Sequence, residues 1–438
     1  MGRTVTEPSS LRFAPFGRCA LMMSAVLALA ACGDSSLEVP ANPPPPPEPP
    51  MVPAPPPSMV VLGAGPAAGF QGYGISAATQ GVSYAALLAG ATGYTLRLPL
   101  VADPGCPAPS VLPGIAPPAP GACALQAATG AFHNVAIPGA RLVDALDKTA
   151  APSQLETLIL GAATQVSAAS SQSPQFAIVD LGSEDALQPA LSGTLGTGAA
   201  EPDLLSAAAF QARYDRLVSA LAGIGSLQRV VLVGVADPVR FVPILQPGAY
   251  YFLARDPATN MFQGKPVNAN CSPVTALGTP NPLAANLLPM TVAASAQPDI
   301  NCDPAVAGTR IVDSVERPTV TTRVAQYNAI IQAAATARGW AFVDPNPLLE
   351  TLRTEKTGAR YQAMRVCQDL PTATTAAQFQ AAVLNSCPVT GATAAPGFFG
   401  SYFSTDGIYP ATQGHALLAG RMAAAVNAVY GTTLPTTY

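Results

Sequence analysis

Three runs of this chain, MVVL at 59–62, FAIVDL at 176–181 and RVVLVGV at 229–235, are almost wholly apolar, and each reaches a glycine inside it or just beyond its end. An alternating strand buries one face, whereas a strand that is apolar throughout has to be covered on both. Runs this short fit buried strands, and the longer periodic segments between them read as helices. Helices are expected over Val82–Ala91, Leu204–Ala222, Val324–Arg338 and Gln413–Tyr430. Further strands are expected at Phe132–Ile137, which ends on Pro138-Gly139, and at Gly339–Val343, which carries the single tryptophan, Trp340. Strands separated by helices imply a parallel sheet with helices on both faces. The Pro-, Gly- and Asn-rich interval from Gln246 to Glu316 has little periodicity and reads as an excursion from that sheet.

Composition narrows the function classes. Of 438 residues, 49% are hydrophobic and only 11% charged, against roughly 25% charged in an average soluble protein. That excludes a highly charged disordered chain and supplies a large core. The net charge of −4 comes with no basic stripe, so no nucleic-acid partner is expected. His133 and His415 are the only histidines, which leaves no His-rich metal site. No cofactor is expected.

The N-terminus reads as an address. Arg3, Arg12 and Arg18 precede a 12-residue apolar run, Ala20–Ala31. That run is short of the roughly 20 residues needed to span a bilayer and suits a signal segment. It ends in Leu29-Ala30-Ala31-Cys32, which resembles the lipobox of bacterial lipoproteins and implies cleavage before Cys32 and acylation of its thiol. Residues 1–31 are therefore expected to be a lipoprotein signal peptide. Residues 32–57 form the lipidated N-terminus and a tether, whose Pro40–Pro57 segment contains five consecutive prolines and would reach roughly 55 Å as polyproline II. Residues 58–438 are expected to form the folded domain. The expected location is the bacterial cell envelope, lipid-anchored and facing the periplasm or the exterior, with the membrane as a partner through the anchor.

Beyond Cys19 and Cys32 six cysteines remain, an even number that suggests disulfides in an exported chain. They fall into three sequence-local pairs, so Cys106–Cys123, Cys271–Cys302 and Cys367–Cys387 are expected. None of the pairs has the CxxC spacing of a zinc site.

The order of segments from about Ser58 to Thr433 resembles the SGNH (GDSL-type) hydrolases, in particular their lipoprotein-like members. The first block is matched by Leu62-Gly63-Ala64-Gly65 with Gln80-Gly81-Val82-Ser83-Tyr84 and Leu87-Leu88-Ala89 behind it. The second is matched by Asn134-Val135-Ala136-Ile137-Pro138-Gly139, the third by Asp180-Leu181-Gly182-Ser183-Glu184-Asp185, and the last by Asp406-Gly407-Ile408-Tyr409-Pro410. Phe210, Tyr214, Leu217 and Leu221, Tyr327-Asn328 and Trp340–Asp344 also look like the family's helices and last strand. The resemblance implies a three-layer α/β/α (flavodoxin-like) sandwich with a central parallel sheet and, here, disulfide-stapled loop insertions. It also implies ester hydrolysis by a serine, a histidine and an aspartate, with the oxyanion held by two backbone amides and an asparagine.

Carried over position by position, that site is broken. Gly65 stands at the serine position, Glu184 at the asparagine position and Tyr409 at the histidine position; only Gly139 and Asp406 match. Glycine offers no nucleophile, and a glutamate repels a developing oxyanion. A tyrosine, with an ordinary pKa of about 10, is a poor base at neutral pH. Because a triad acts as a unit, such losses are expected to remove several orders of magnitude in kcat. No replacement set is evident: Ser183, Ser401 and Ser404 read as turn hydroxyls, His415 as a helix-face residue and His133 as an edge or core residue. Glu184, Asp185 and Asp406 are candidates for an acidic cluster at the carboxyl end of the sheet, where open α/β sheets bind ligands. The expected function is that of a membrane-tethered, catalytically degenerate protein that binds a lipid, glycan or envelope-protein ligand. The alternatives are an active ester hydrolase of esterase or lipase type with a rearranged site, and a lipoprotein that serves as a component of an envelope complex.

Overall fold

The computed structural model describes residues 57–438 except 111–120, 128–130, 149–150, 194, 197–202, 256–261, 263, 307, 355–363, 368–376, 379–380, 382–386 and 389–396. The expected signal peptide, the acylated Cys32 and nearly all of the proline tether lie outside the described residues.

Four strands, β1 (Met59–Gly63), β2 (Phe176–Asp180), β3 (Arg229–Val233) and β6 (Ala341–Val343), form one parallel sheet in the order β1-β2-β3-β6. All positions of β1 and β2 are buried, as runs with no polar face require. Helices Tyr84–Thr92 and Thr412–Tyr430 pack against each other, and the latter also lies on β3 and β6. A second group made of Gln165–Ser170, Ala207–Ala222 and Glu316–Arg338 packs together, with Gln165–Ser170 on β1 and Glu316–Arg338 on β3 and β6. The architecture is a three-layer α/β/α sandwich.

The segment expected as a strand at Phe132–Ile137 is extended but is not a ladder strand. It lies parallel to β1, making an isolated bridge at Asn134, and it alternates three backbone hydrogen bonds with Val61 and Gly63. Its ladder is cut short because the Gly63 N–H, the next donor along β1, is taken by the Gln165 side chain, while Asn134 donates to the Ala67 carbonyl at 2.9 Å and accepts from the Ala136 N–H.

Helix starts also differ from the periodic reading, each for a capping reason. Ser83 and Ser206 accept from the N–H groups of Ala86 and Ala209, which sets the starts at Tyr84 and Ala207. Leu204 and Leu205 are then fully buried outside the helix. Helix Glu316–Arg338 begins eight residues before the expected Val324, where Asp313 accepts from the Glu316 N–H and the Glu316 carboxylate accepts from the Asp313 N–H. Its first turns are polar and carry no apolar period, so pattern alone missed them.

Two buried side-chain amides finish the strands where the ladder stops. Gln165 accepts from the N–H of Gly63 at 2.8 Å and donates to the same residue's carbonyl, closing the exit of β1. Asn328 makes the same pair of bonds with Val235 beyond β3. Each gives a partner to a backbone N–H that would otherwise be buried without one.

The excursion from Gln246 onward is a separate layer of short pieces. β4 (Leu245–Pro247) pairs antiparallel with β5 (Leu287–Pro289), outside the central sheet. Asn268, Asn270, Asn281 and Asn286 brace it with side-chain bonds to neighbouring loops. The three disulfides expected from spacing are present: Cys106–Cys123, Cys271–Cys302 and Cys367–Cys387, with Cα separations of 5.0, 5.2 and 4.5 Å. The second closes a 31-residue separation, for which chain entropy suggests about 3–4 kcal/mol of stabilisation. Replacing Cys271 and Cys302 together by serine is expected to lower the unfolding free energy by about that amount, read as a shifted urea midpoint; an unchanged midpoint would show that the asparagine contacts alone hold the excursion.

Candidate functional site

The parallel sheet delivers its strand ends to one edge. β1 ends at Gly63, and Gly65 opens a four-residue helix, Gly65–Ala68. β2 ends at Asp180, and Glu184 begins the helix Glu184–Ser192. The loop before the last helix brings Asp406 and Tyr409 to the same place.

Tyr409 touches both Gly65 and Glu184. A Cβ built on Gly65 would lie 2.6 Å from Cε1 and 2.7 Å from Cζ of Tyr409, so the tyrosine ring occupies the space that any side chain at 65 would need. The Tyr409 hydroxyl donates to Oε1 of Glu184 at 2.7 Å. Oε2 of Glu184 accepts from Nε2 of Gln188 at 3.3 Å, and the same nitrogen donates to the Gly139 carbonyl at 2.9 Å. Phe70 meets the Tyr409 ring edge-on with centroids 5.5 Å apart.

Asp406 is fully buried and engaged by backbone. Its Oδ1 accepts from the N–H groups of Ile408 and Tyr409 at 2.8 and 2.9 Å, and its Oδ2 from the N–H of Tyr73 at 3.2 Å. Burial raises its pKa, and those amides pull it back down. Here the aspartate orders the loop that aims Tyr409. Burial raises the Glu184 pKa, opposed by the bonds from Tyr409 and Gln188. Burial and the adjacent Glu184 carboxylate push Tyr409 well above its ordinary value, so it is a hydrogen-bond donor and neither a nucleophile nor a base.

The other residues singled out in the sequence do not rebuild a triad. His415 is completely buried on the last helix. Its Nδ1 accepts from the Tyr84 N–H at 3.3 Å, while its Nε2 has no partner among the described residues. Burial pushes its pKa down to about 3, so it stays neutral. His133 faces the Thr95 carbonyl and the Arg97 N–H. Ser404 accepts from the Gly72 N–H in the Asp406 loop, and Ser401 lines a groove beside that loop. Ser183 borders the cavity described next, at the start of helix Glu184–Ser192, and its side chain makes no capping bond.

Of the acidic group expected from the sequence, Glu184 alone lines that cavity, and Asp406 is held on loop amides away from it. Asp185 accepts from the Leu142 N–H at 2.9 Å and ties the start of helix Glu184–Ser192 to that of helix Leu142–Leu146. The residue that joins Glu184 at the cavity is Asp180, which the sequence reading passed over as the end of an apolar strand. Its Oδ2 accepts from the Tyr84 hydroxyl at 2.6 Å. Burial pushes its pKa up to about 6 against that bond. The one available signal was a carboxylate closing an otherwise apolar strand. Among the described residues, no group of three or more His, Cys, Asp or Glu side chains is placed to hold a metal ion.

Asp180 and Glu184 line a cavity of about 80 Å³ at the carboxyl end of the sheet. Its walls are mostly apolar, including Val233, Phe241, Leu349 and Leu418, and Tyr409 and Ile408 form its loop side. Tyr409 also borders a second cavity, on the side of Phe70 and Gly139.

No protein-family model matches the chain, and no curated protein matches it. Among solved structures, the chain is similar to the crystal structure of an extracellular lipase from Streptomyces rimosus, at 14% identity over 76% of this chain and 92% of that one, with a TM-score of 0.29. A likeness that distant carries nothing about the site.

Two outcomes follow from this geometry. Gly65→Ala is expected to cost about 1–3 kcal/mol through the forced contact with Tyr409. Combining it with Tyr409→Ala should recover part of that loss, and a double-mutant cycle in urea that gives no coupling would remove the contact from the account. Asp180, with its raised pKa, contributes stability that is fully present below about pH 4 and lost as pH rises through about 6. Asp180→Asn should therefore gain up to about 3 kcal/mol over the wild type at pH 7 and nothing at pH 4, as read from thermal or urea unfolding at the two pH values.

Proposed function

We propose that this chain is a lipid-anchored protein of the bacterial envelope whose α/β/α domain has the plan of an ester hydrolase but binds a ligand without turning it over. The observation that carries this reading is the Tyr409 ring seated against Gly65 with its hydroxyl on Glu184. One contact fills the position of a nucleophile, replaces a base with a donor and engages a carboxylate where an oxyanion would need a donor. Gly139 and Asp406 keep the backbone plan of the site, but Asp406 spends its oxygens on loop amides. The ligand classes that suit the reading are lipid, glycan or an envelope protein. The membrane attachment rests on Leu29–Cys32 in the sequence.

The test has two arms. Purified full-length protein should hydrolyse short p-nitrophenyl esters no faster than a heat-killed control and should resist labelling by serine-directed phosphonates. Cys32→Ser should move the protein out of the membrane fraction. Ester turnover that is abolished by Ser183→Ala or His415→Ala would replace this reading with that of a hydrolase with a relocated site. Membrane fractionation unchanged by Cys32→Ser would remove the lipid anchor.

A further inference from the structure

The cavity beside Tyr409 has an unbalanced wall. It presents two carboxylates, Asp180 and Glu184, and no lysine, arginine or histidine. Glu184 has both oxygens engaged, by Tyr409 and Gln188. Asp180 is only 4% exposed, and its Oδ2 is taken by Tyr84. Its Oδ1 has no donor among the described residues, and the cavity is the space that the side chain borders. A buried carboxylate with one vacant acceptor in an apolar surround is costly to hold and gains most from a cationic donor.

The remaining walls decide which cation. Five aromatic rings border the cavity, those of Tyr84, Phe241, Tyr402, Phe403 and Tyr409, and aromatic faces attract cations most strongly where water is excluded. A calcium-like ion needs six to eight oxygens, far more than one open carboxylate oxygen provides. A volume of about 80 Å³ holds several water molecules or one small organic group. Apolar walls such as Leu187, Val242 and Leu418 suit a short hydrocarbon body on that group.

We propose that this cavity is a binding site for a primary ammonium group carried on a short apolar chain, with its N–H donated to Oδ1 of Asp180 and its charge shared with the surrounding rings. The proposal deepens the non-catalytic reading above and rests on it. The Ser183 hydroxyl, also on the wall, is a second acceptor for the same ammonium. Tyr409, held by Glu184, forms the side of the cavity that faces the second one, so the contact that fills the hydrolase position also shapes this site.

The experiment compares isopentylammonium with isopentyl alcohol, which has nearly the same shape and no charge. Both are titrated into the full-length chain by calorimetry at pH 7.5. Saturable binding of the ammonium, roughly tenfold or more tighter than the alcohol, is the expected result. Asp180→Asn should weaken the ammonium by a similar factor and leave the alcohol unchanged. Equal binding of the two probes, absence of ammonium binding, or binding indifferent to Asp180→Asn overturns the proposal. The wild-type comparison decides the matter even where the variant does not fold. Ester turnover measured on the same preparations keeps the two readings apart: a protein that neither hydrolyses esters nor binds ammonium loses this site and keeps the non-catalytic function.

Discussion

Gly63 of β1 pairs in parallel register with Asp180 of β2, and the position of every group at the candidate site depends on that pairing. Parallel strands end on the same edge, so the turn after β1 and the helix after β2 emerge side by side. Gly65 lies two residues beyond Gly63, and Glu184 four beyond Asp180. A register slip of one residue would move the buried carboxylate to the other face of the sheet. The slip is prevented because both faces of β1 and β2 are covered and because Gln165 pins Gly63 by its own backbone groups.

On that frame, the glycine at 65 and the tyrosine at 409 form one contact. Glycine is required because a ring lies where Cβ would be, and the ring is fixed because its hydroxyl has a carboxylate to donate to. Changing either partner alone leaves a clash or a hole. Changing Glu184 alone leaves a buried phenol without its acceptor, a loss of about 1–3 kcal/mol. Gly65, Tyr409 and Glu184 are therefore held together as one packed contact at the end of the sheet.

Electrostatics at this edge run against stability. Asp180, Glu184 and Asp406 are all buried, and burial raises each of their pKa values. Asp406 recovers most through three backbone donors, and Glu184 through two side-chain donors. Asp180 has one donor, so it keeps the largest imbalance and is the group with most to gain from a bound cation. The neutral His415 opposes it in acid, since its lowered pKa means that protonation is resisted until the fold gives way.

The sequence by itself determined the buried parallel sheet, the helix group, the excursion after Gln246 and the three disulfides, because hydrophobic period, glycine stops and local cysteine spacing are written in adjacent residues. It misjudged the start of helix Glu316–Arg338, whose first turns are set by capping at Asp313 and not by apolar period, and it extended a strand through Phe132–Ile137, where Gln165 takes the Gly63 N–H that the ladder would need. Only the tertiary structure decided that Tyr409 sits on Gly65, that Asp185 turns away to Leu142, and that Asp180 takes its place at the cavity. Those outcomes depend on contacts between residues up to hundreds of positions apart, such as the 225 between Glu184 and Tyr409. Such contacts are fixed by how layers pack and not by any local pattern in the chain.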